Sequence, residues 1–195
     1  MNLLIVGVGG QGVVLASNIL AEAALKAGFE VKKTDSLGMA QRGGSVVSHL
    51  RWGRFVFSPL VRLGEADAVI AFEKLEGARW AHYLKPGGMM IMNDLAQPPL
   101  MVSSGNEKYP SDARIKEIVG DYSPDLHLVP AGKVARELGN PKLVNTILLG
   151  YADRFLGLPQ GLLLRTIEEN LPLKLGEINL KAFAAGAELS AQLPR

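Results

Sequence analysis

The sequence predicts an α/β fold: a mostly parallel sheet with helices on both faces and a helical C-terminal third. Three observations predict it. Short runs that are apolar on both faces recur at residues 3–6, 66–72 and 126–129, as central parallel strands require. Segments of helical length with an apolar stripe alternate with those runs. From residue 143 onward the apolar residues recur at helical spacing only.

Residues 3–6 form the first strand, and glycine follows at once. Residues 13–27 read as a helix. Val13, Leu15, Ala16, Ile19, Leu20, Ala23, Ala24 and Ala27 are its apolar residues, and Glu22 and Lys26 pair outside. Gly28 ends that helix. Residues 29–34 are a second strand, so strand, helix and strand make one right-handed βαβ unit. Residues 35–44 are polar and too rich in glycine for a helix. Residues 45–52 alternate as a strand that Gly53 breaks, and residues 55–60 make an extended return whose Pro59 suits an edge or loop. Residues 66–72 form a buried strand and 73–84 a helix. Lys85-Pro86-Gly87-Gly88 is a turn, and residues 89–93 are the next strand. Pro98, Pro99 and Pro110 make residues 97–111 a loop with extended pieces. A short helix at 115–119, a final strand at 126–129 and a helix at 134–138 stopped by Gly139 come next. Helices at 143–156, 159–170 and 179–193 complete the chain. With no repeat or linker, residues 1–195 read as a single domain.

Composition narrows the function classes. The 195 residues are 48% hydrophobic and 21% charged, the balance of a soluble globular protein. A net charge of +2 without a run of five like charges gives no support to nucleic acid or a membrane as partner. The absence of cysteine excludes disulfides, thiolate nucleophiles and cysteine-ligated zinc or iron–sulfur clusters from this chain. The amino-terminal segment lacks a basic signal-peptide start, and no apolar stretch approaches the roughly 20 residues of a membrane span. A cytoplasmic location is expected.

The first motif is Gly7-Val8-Gly9-Gly10-Gln11-Gly12, set between the first strand and the first helix. Gly7 permits the tight turn, Gly9 a close approach of backbone to an anion, and Gly12 close helix–strand packing. Gly10 adds backbone freedom and Gln11 a side-chain amide at the mouth. Unpaired N–H groups and the helix dipole then favour a phosphate or carboxylate, which makes the fold Rossmann-like in its first unit. The alternatives are a tight turn without ligand, or one that meets the backbone of a partner. Asp35 is the one fair candidate for a ribose hydroxyl, and it falls late, so a nicotinamide cofactor is disfavoured.

The second motif is more specific. Met39-Ala40-Gln41-Arg42-Gly43-Gly44-Ser45-Val46-Val47-Ser48-His49 sets the forked donors of Gln41 and Arg42 beside Gly43 and Gly44, which tolerate positive φ. Such a loop can bind a carboxylate or phosphate bidentately. Equally, its arginine can pair with a carboxylate of this chain or of a neighbouring subunit.

Together the two motifs resemble the gamma-type domain of the 2-oxoacid:ferredoxin oxidoreductases, and within that family its indolepyruvate branch. The likeness continues through Phe57-Ser58-Pro59-Leu60, Gly64-Glu65-Ala66-Asp67, Tyr83-Leu84-Lys85-Pro86-Gly87-Gly88, Gly139-Asn140-Pro141-Lys142, Asn145 and Leu149-Gly150. It covers nearly the whole chain. The resemblance implies an enzyme that oxidatively decarboxylates a 2-oxoacid, an arylpyruvate such as indolepyruvate, to an acyl-CoA with ferredoxin as electron acceptor. Thiamine diphosphate and iron–sulfur clusters do that chemistry, and the resemblance assigns both to a large (alpha) partner subunit. This chain is then a non-cluster subunit of a hetero-oligomer, inactive alone and linked to ferredoxin only indirectly. Its lack of cysteine agrees, as does the lack of a Gly-Asp-Gly thiamine motif, for which Gly120-Asp121-Tyr122 does not qualify.

On that basis Gly7, Gly9, Gly10, Gln11, Gly12, Gln41, Arg42, Gly43 and Gly44 are the expected binding residues. They would meet a coenzyme A phosphate, a substrate carboxylate or the large subunit. The alternatives are an equivalent subunit serving pyruvate, 2-oxoisovalerate or 2-oxoglutarate, and a standalone nucleotide-binding module. No residue presents itself as catalytic and no metal spacing occurs: His49, His82 and His127 are scattered. Glu168 and Glu169 suit a solvated helix face. Ser45 and Ser48 lack a nucleophile elbow. Met89, Met90 and Met92 suit strand packing. Asn145 can brace the glycine loop or satisfy a buried backbone group.

Overall fold

The computed structural model describes residues 1–37, 43–98 and 108–192. Strands β1 (Asn2–Val8), β2 (Glu30–Leu37), β3 (Ser45–Gly53), β4 (Ala66–Ala71), β5 (Leu84–Asn93) and β6 (Asp125–Val129) form a six-stranded sheet in the order β2-β3-β1-β4-β5-β6. β1, β4, β5 and β6 pair in parallel, while β3 runs antiparallel to both β1 and β2. The mostly parallel α/β sheet expected from sequence is therefore present. The first βαβ unit differs in one respect: β3 is inserted between its two strands, so β2 does not touch β1.

Alternation along β1 sorts the core into two layers, because successive side chains of a strand point to opposite faces. Leu3 and Ile5 pack with helices α1 (Val13–Lys26), α5 (Val144–Ala152), α6 (Leu162–Asn170) and α7 (Leu173–Ala191). Leu4 and Val6 pack with α2 (Lys74–Trp80) and α3 (Asp112–Gly120) on the other face. A short helix α4 (Ala131–Glu137) follows β6, and Gly139 beyond it takes a positive φ of 82°. Met90 and Met92 are fully buried in β5, in keeping with strand packing.

The last helix begins at Leu173 and not at 179, and the helix expected over 73–84 stays α-helical only to Trp80, with a 3-10 turn over Ala81–Tyr83. Two further boundaries, in the sheet, also differ from expectation. β2 runs on through Asp35 and Ser36 to Leu37, because Asp35 accepts the Ser48 hydroxyl across the β2–β3 ladder at 2.6 Å. β5 begins at Leu84, and Lys85-Pro86-Gly87-Gly88 is a bulge within it: Ala66 pairs with Leu84 but Ala68 pairs with Met89. Gly87 takes a φ of 73°, and a Cβ on Gly88 would lie 2.8 Å from the Ala66 carbonyl oxygen.

The C-terminal helices close on one another through glycine. A Cβ on Gly150 of α5 would collide with the Phe183 carbonyl, and one on Gly186 of α7 would collide with the Ile147 carbonyl. Backbone meets backbone at that crossing, so neither collision can be relieved by a rotamer change. Gly186→Ala should force the helices apart and lower unfolding free energy by about 1–3 kcal/mol, read as a lower urea midpoint. An unchanged midpoint would mean the crossing is looser than described.

Candidate functional site

The parallel strands end together, and the turns that follow their carboxyl ends build a cleft of about 760 Å³. In open α/β sheets that edge is where ligands bind, and the volume lies within the range of small-molecule sites. Gly10 and Gly12 of the first motif form one wall, and Arg136, Lys142 and Asn145 stand on another. Leu15, Ile19, Phe72 and Leu149 supply apolar surface. Among the described residues its lining holds two cationic side chains and no carboxylate. A second cleft of about 640 Å³ lies beside Asp153, Arg154 and Ser190, away from both glycine motifs.

The first motif is shaped by contacts that only glycine allows. A Cβ on Gly7 would lie 2.7 Å from Gln11 Oε1 and 2.9 Å from Val13 Cγ2. Gly10 and Gly12 adopt φ of 99° and 87°, a region that disfavours every other residue. A Cβ on Gly12 would lie 3.1 Å from Asn145 Nδ2, so Asn145 braces the turn.

Two donors expected to face an anion are occupied. Gly9 N–H donates to the Gly44 carbonyl at 2.8 Å. The Gln11 side chain folds inward, its Oε1 accepting from Val8 N–H at 2.8 Å and its Nε2 donating to Gln97 Oε1 at 3.0 Å. The N–H groups that an α-helix cannot satisfy itself, at the first turn of α1, sit beside the cleft wall instead.

The same Gly9–Gly44 bond brings the second motif against the first. Gly43, with φ of 81°, and Gly44 lead into β3, whose Ser45 pairs with Val8. Gln41 and Arg42 lie outside the described residues. Asp35 is held by Ser48 and by Lys33 Nζ at 2.7 Å, on a strand separated from β1 by β3. Two strand spacings, about 10 Å, remove it from the glycine turn, so the ribose-binding role of a dinucleotide site does not apply.

The chain matches the pyruvate ferredoxin/flavodoxin oxidoreductase family over residues 2–189. It belongs to that family. The indolepyruvate oxidoreductase subunit IorB of Pyrococcus horikoshii is 37% identical, over 98% of this chain and 96% of its own. The pyruvate/ketoisovalerate oxidoreductases common subunit gamma of Thermococcus kodakarensis is 31% identical, over 90% of this chain and 89% of its own. In the solved 2-oxoglutarate:ferredoxin oxidoreductase from Magnetococcus marinus with 2-oxoglutarate, coenzyme A and succinyl-CoA bound, the fold recurs at TM-score 0.73 and 18% identity. That match covers all of this chain and 31% of the longer one.

The donor set of this family member does not fit an iron–sulfur cluster, since the chain has no cysteine. Among the described residues no three His, Asp or Glu side chains gather as metal ligands. His127 instead bridges Asp125 at 2.7 Å and the Tyr151 hydroxyl at 2.8 Å. His49 is buried, accepts Val61 N–H at Nδ1 (3.3 Å), and is held below its usual pKa by that burial. Glu169 pairs with Lys26 on an exposed face, as its spacing suggested.

Sequence reasoning overlooked a pair of buried carboxyls beside the motifs, Glu73 and Glu76, both 0% exposed. Glu73 caps α2, accepting from Glu76 N–H at 2.9 Å, and also takes Gln97 N–H at 3.1 Å and the Tyr109 hydroxyl. Burial, then the bond to Glu73, pushes the Tyr109 phenol far up. Glu76 Oε2 accepts the Ser45 hydroxyl, tying α2 to the end of the second motif. Its Oε1 lies 3.6 Å from Arg79 and finds no hydrogen-bond partner of good geometry among the described residues. The signal was the Glu-x-x-Glu spacing directly after an apolar strand, a variant of the capping box.

Burial raises the Glu76 carboxyl above its ordinary pKa, only partly offset by Ser45 and Arg79. The folded protein thus keeps a proton that the unfolded chain loses, and stability declines as pH climbs from the usual carboxylate range through the raised value. Glu76→Gln cannot ionise. Its stability relative to the parent should rise with pH across that window in denaturation curves taken from pH 4 to 8. A constant difference would remove Glu76 as the source.

Proposed function

We propose that this chain is the non-cluster subunit of a 2-oxoacid oxidoreductase of the indolepyruvate type, and that its cleft holds the phosphate end of coenzyme A. The catalysed conversion joins a 2-oxoacid and coenzyme A to give an acyl-CoA, carbon dioxide, a proton and two electrons for ferredoxin. Thiamine diphosphate and iron–sulfur clusters, carried by a large partner subunit, supply the decarboxylation and the electron path. This chain has no donors for either cluster ligation or a Gly-Asp-Gly thiamine site, so its part is binding and positioning.

The observation that carries the cleft assignment is its charge. Arg136 and Lys142 line the same cleft as Gly10 and Gly12 before α1, and among the described residues no carboxylate lines it, which suits a polyanion on a flexible apolar arm. The phosphates would lie against the cations and the helix N-terminus. The arm would run along Leu15, Phe72 and Leu149. Gln41 and Arg42 remain proposed contributors from the second motif. The indolepyruvate type is preferred because identity is 37% to the indolepyruvate relative and 31% to the pyruvate/ketoisovalerate one. That second relative keeps pyruvate and 2-oxoisovalerate as the alternative substrates. Asp35, engaged within the sheet, counts against a standalone dinucleotide module.

The test reconstitutes this chain with its large subunit and follows 2-oxoacid-dependent reduction of a dye. Omitting this chain should abolish turnover, and indolepyruvate should outcompete pyruvate, 2-oxoisovalerate and 2-oxoglutarate. Arg136→Glu with Lys142→Glu should raise the KM for coenzyme A about tenfold or more, leaving the KM for the 2-oxoacid unchanged. Equal activity without this chain overturns the subunit role. An unaltered coenzyme A KM overturns the cleft assignment alone.

A further inference from the structure

Residues 54–63 leave the end of β3 and lie across the sheet's edge as an apron. Its side chains sort into two sets. Val56 and Val61 turn inward and are 5% and 3% exposed, whereas Phe55, Phe57, Leu60 and Leu63 are 68%, 95%, 55% and 65% exposed. The backbone beneath them is fastened. Val56 N–H donates to the Glu30 carboxylate at 3.2 Å, and Val61 N–H to His49 Nδ1 at 3.3 Å. Arg51 donates to the carbonyls of Ser58 and Leu60 at 3.1 and 3.3 Å.

Single exposed apolar residues are ordinary, but a cluster on a rigid support marks an interaction site. The fastening also removes ordering entropy that association would otherwise cost. Charge adds direction: residues 51–63 contain Arg51, Arg54 and Arg62 and no acidic residue of their own, while Glu30, bound to Val56 N–H, and Glu65, near Arg62, approach from outside the segment. The Arg54 guanidinium lies 5.4 Å from the Phe55 ring centre, and Arg62 is solvent-exposed, 4.0 Å from Glu65.

We propose that this apron is the seat of the large, cofactor-bearing subunit, which meets it with an apolar pocket rimmed by carboxylates. The inference rests on the subunit reading above. A second copy of this chain fits poorly, because a two-fold contact through the apron would set arginines against arginines. The fold also occurs as part of a longer chain, of which the match covers 31%, so the rest of an enzyme can be built against one of its faces. Aromatic side chains bury roughly 150–250 Å² each. Four large apolar groups therefore supply the centre of an interface that needs about 800 Å² per partner.

The test is binding of the full chain to its purified large subunit by titration calorimetry. Phe57→Glu with Leu60→Glu should weaken association roughly thirtyfold or more at an unchanged melting temperature. Leu25→Glu, an equally exposed site on α1 across the sheet, should bind as the parent does. Parental affinity in the apron variant overturns the inference and leaves the subunit reading intact. A parent chain that never binds the large subunit removes that reading itself. A homodimer of the isolated chain that the apron substitutions dissolve, with large-subunit binding retained, would assign the apron to a second copy and overturn the proposal.

Discussion

The insertion of β3 between β1 and β2 decides the rest of this molecule. An antiparallel strand starts where its parallel neighbour ends, so Ser45 pairs with Val8 and the second glycine motif is delivered to the first. The Gly9 N–H to Gly44 carbonyl bond is the last rung of that ladder. The same strand carries Ser48 to Asp35 and Ser45 to Glu76, engaging two side chains that local sequence would leave free. At its far end it releases the apron beside Asn2, which pairs with Arg51. A glycine turn that looks like a dinucleotide cradle thus becomes a joint between two loops, and the N–H groups left at the first turn of α1 stand beside the cleft.

Those features differ in how readable they are. β1, its turn and α1 follow from local pattern, since the apolar run, the glycines and the helical stripe each have a short-range cause. β4, β6 and the C-terminal helices follow for the same reason. The place of β3 does not, because strand neighbours are chosen by pairing across the sheet, and β3 and the parallel strands are each apolar enough to sit in several positions. The start of β5 was hidden by Lys85-Pro86-Gly87-Gly88, whose composition says turn while the pairing of β5 with β4 resumes on both flanks across a bulge. In the cleft, Gly7 to Gly12 and Asn145 were legible through steric demands. Arg136 was not, since a lone arginine on a helix carries no spacing signal and becomes a wall residue only when α4 is placed.

Net charge misled in a related way. A total of +2 describes a nearly neutral chain and gave no reason to expect an acidic partner. The positive charge is nevertheless grouped. Among the described residues Arg136 and Lys142 share a cleft lined by no carboxylate, and Arg51, Arg54 and Arg62 share one segment that has no acidic residue of its own, though Glu30 and Glu65 approach it. With a Debye length of about 8 Å at physiological ionic strength, a ligand or partner responds to the local group and not to the sum.

The cleft lies at one end of the sheet, and the apron leaves β3 at the other, folding back as far as His49 opposite Leu4. Val8 and Ser45 mark one end of the β1–β3 ladder, and Asn2 and Arg51 the other. The seven residues of β1 span six steps between those ends, about 20 Å at 3.3 Å per residue. That distance is more than twice the Debye length, so charge at one end is screened from the other. No packed path of mobile elements needs to join them, because β1 itself is buried and paired on both sides. Assembly and ligand capture can therefore be tuned by substitution at one end without cost at the other. A partner seated on the apron must also reach around the sheet edge before its own reactive groups meet anything held in the cleft. A rigid strand buried at the centre of the fold sets that reach, and a loop could not fix it.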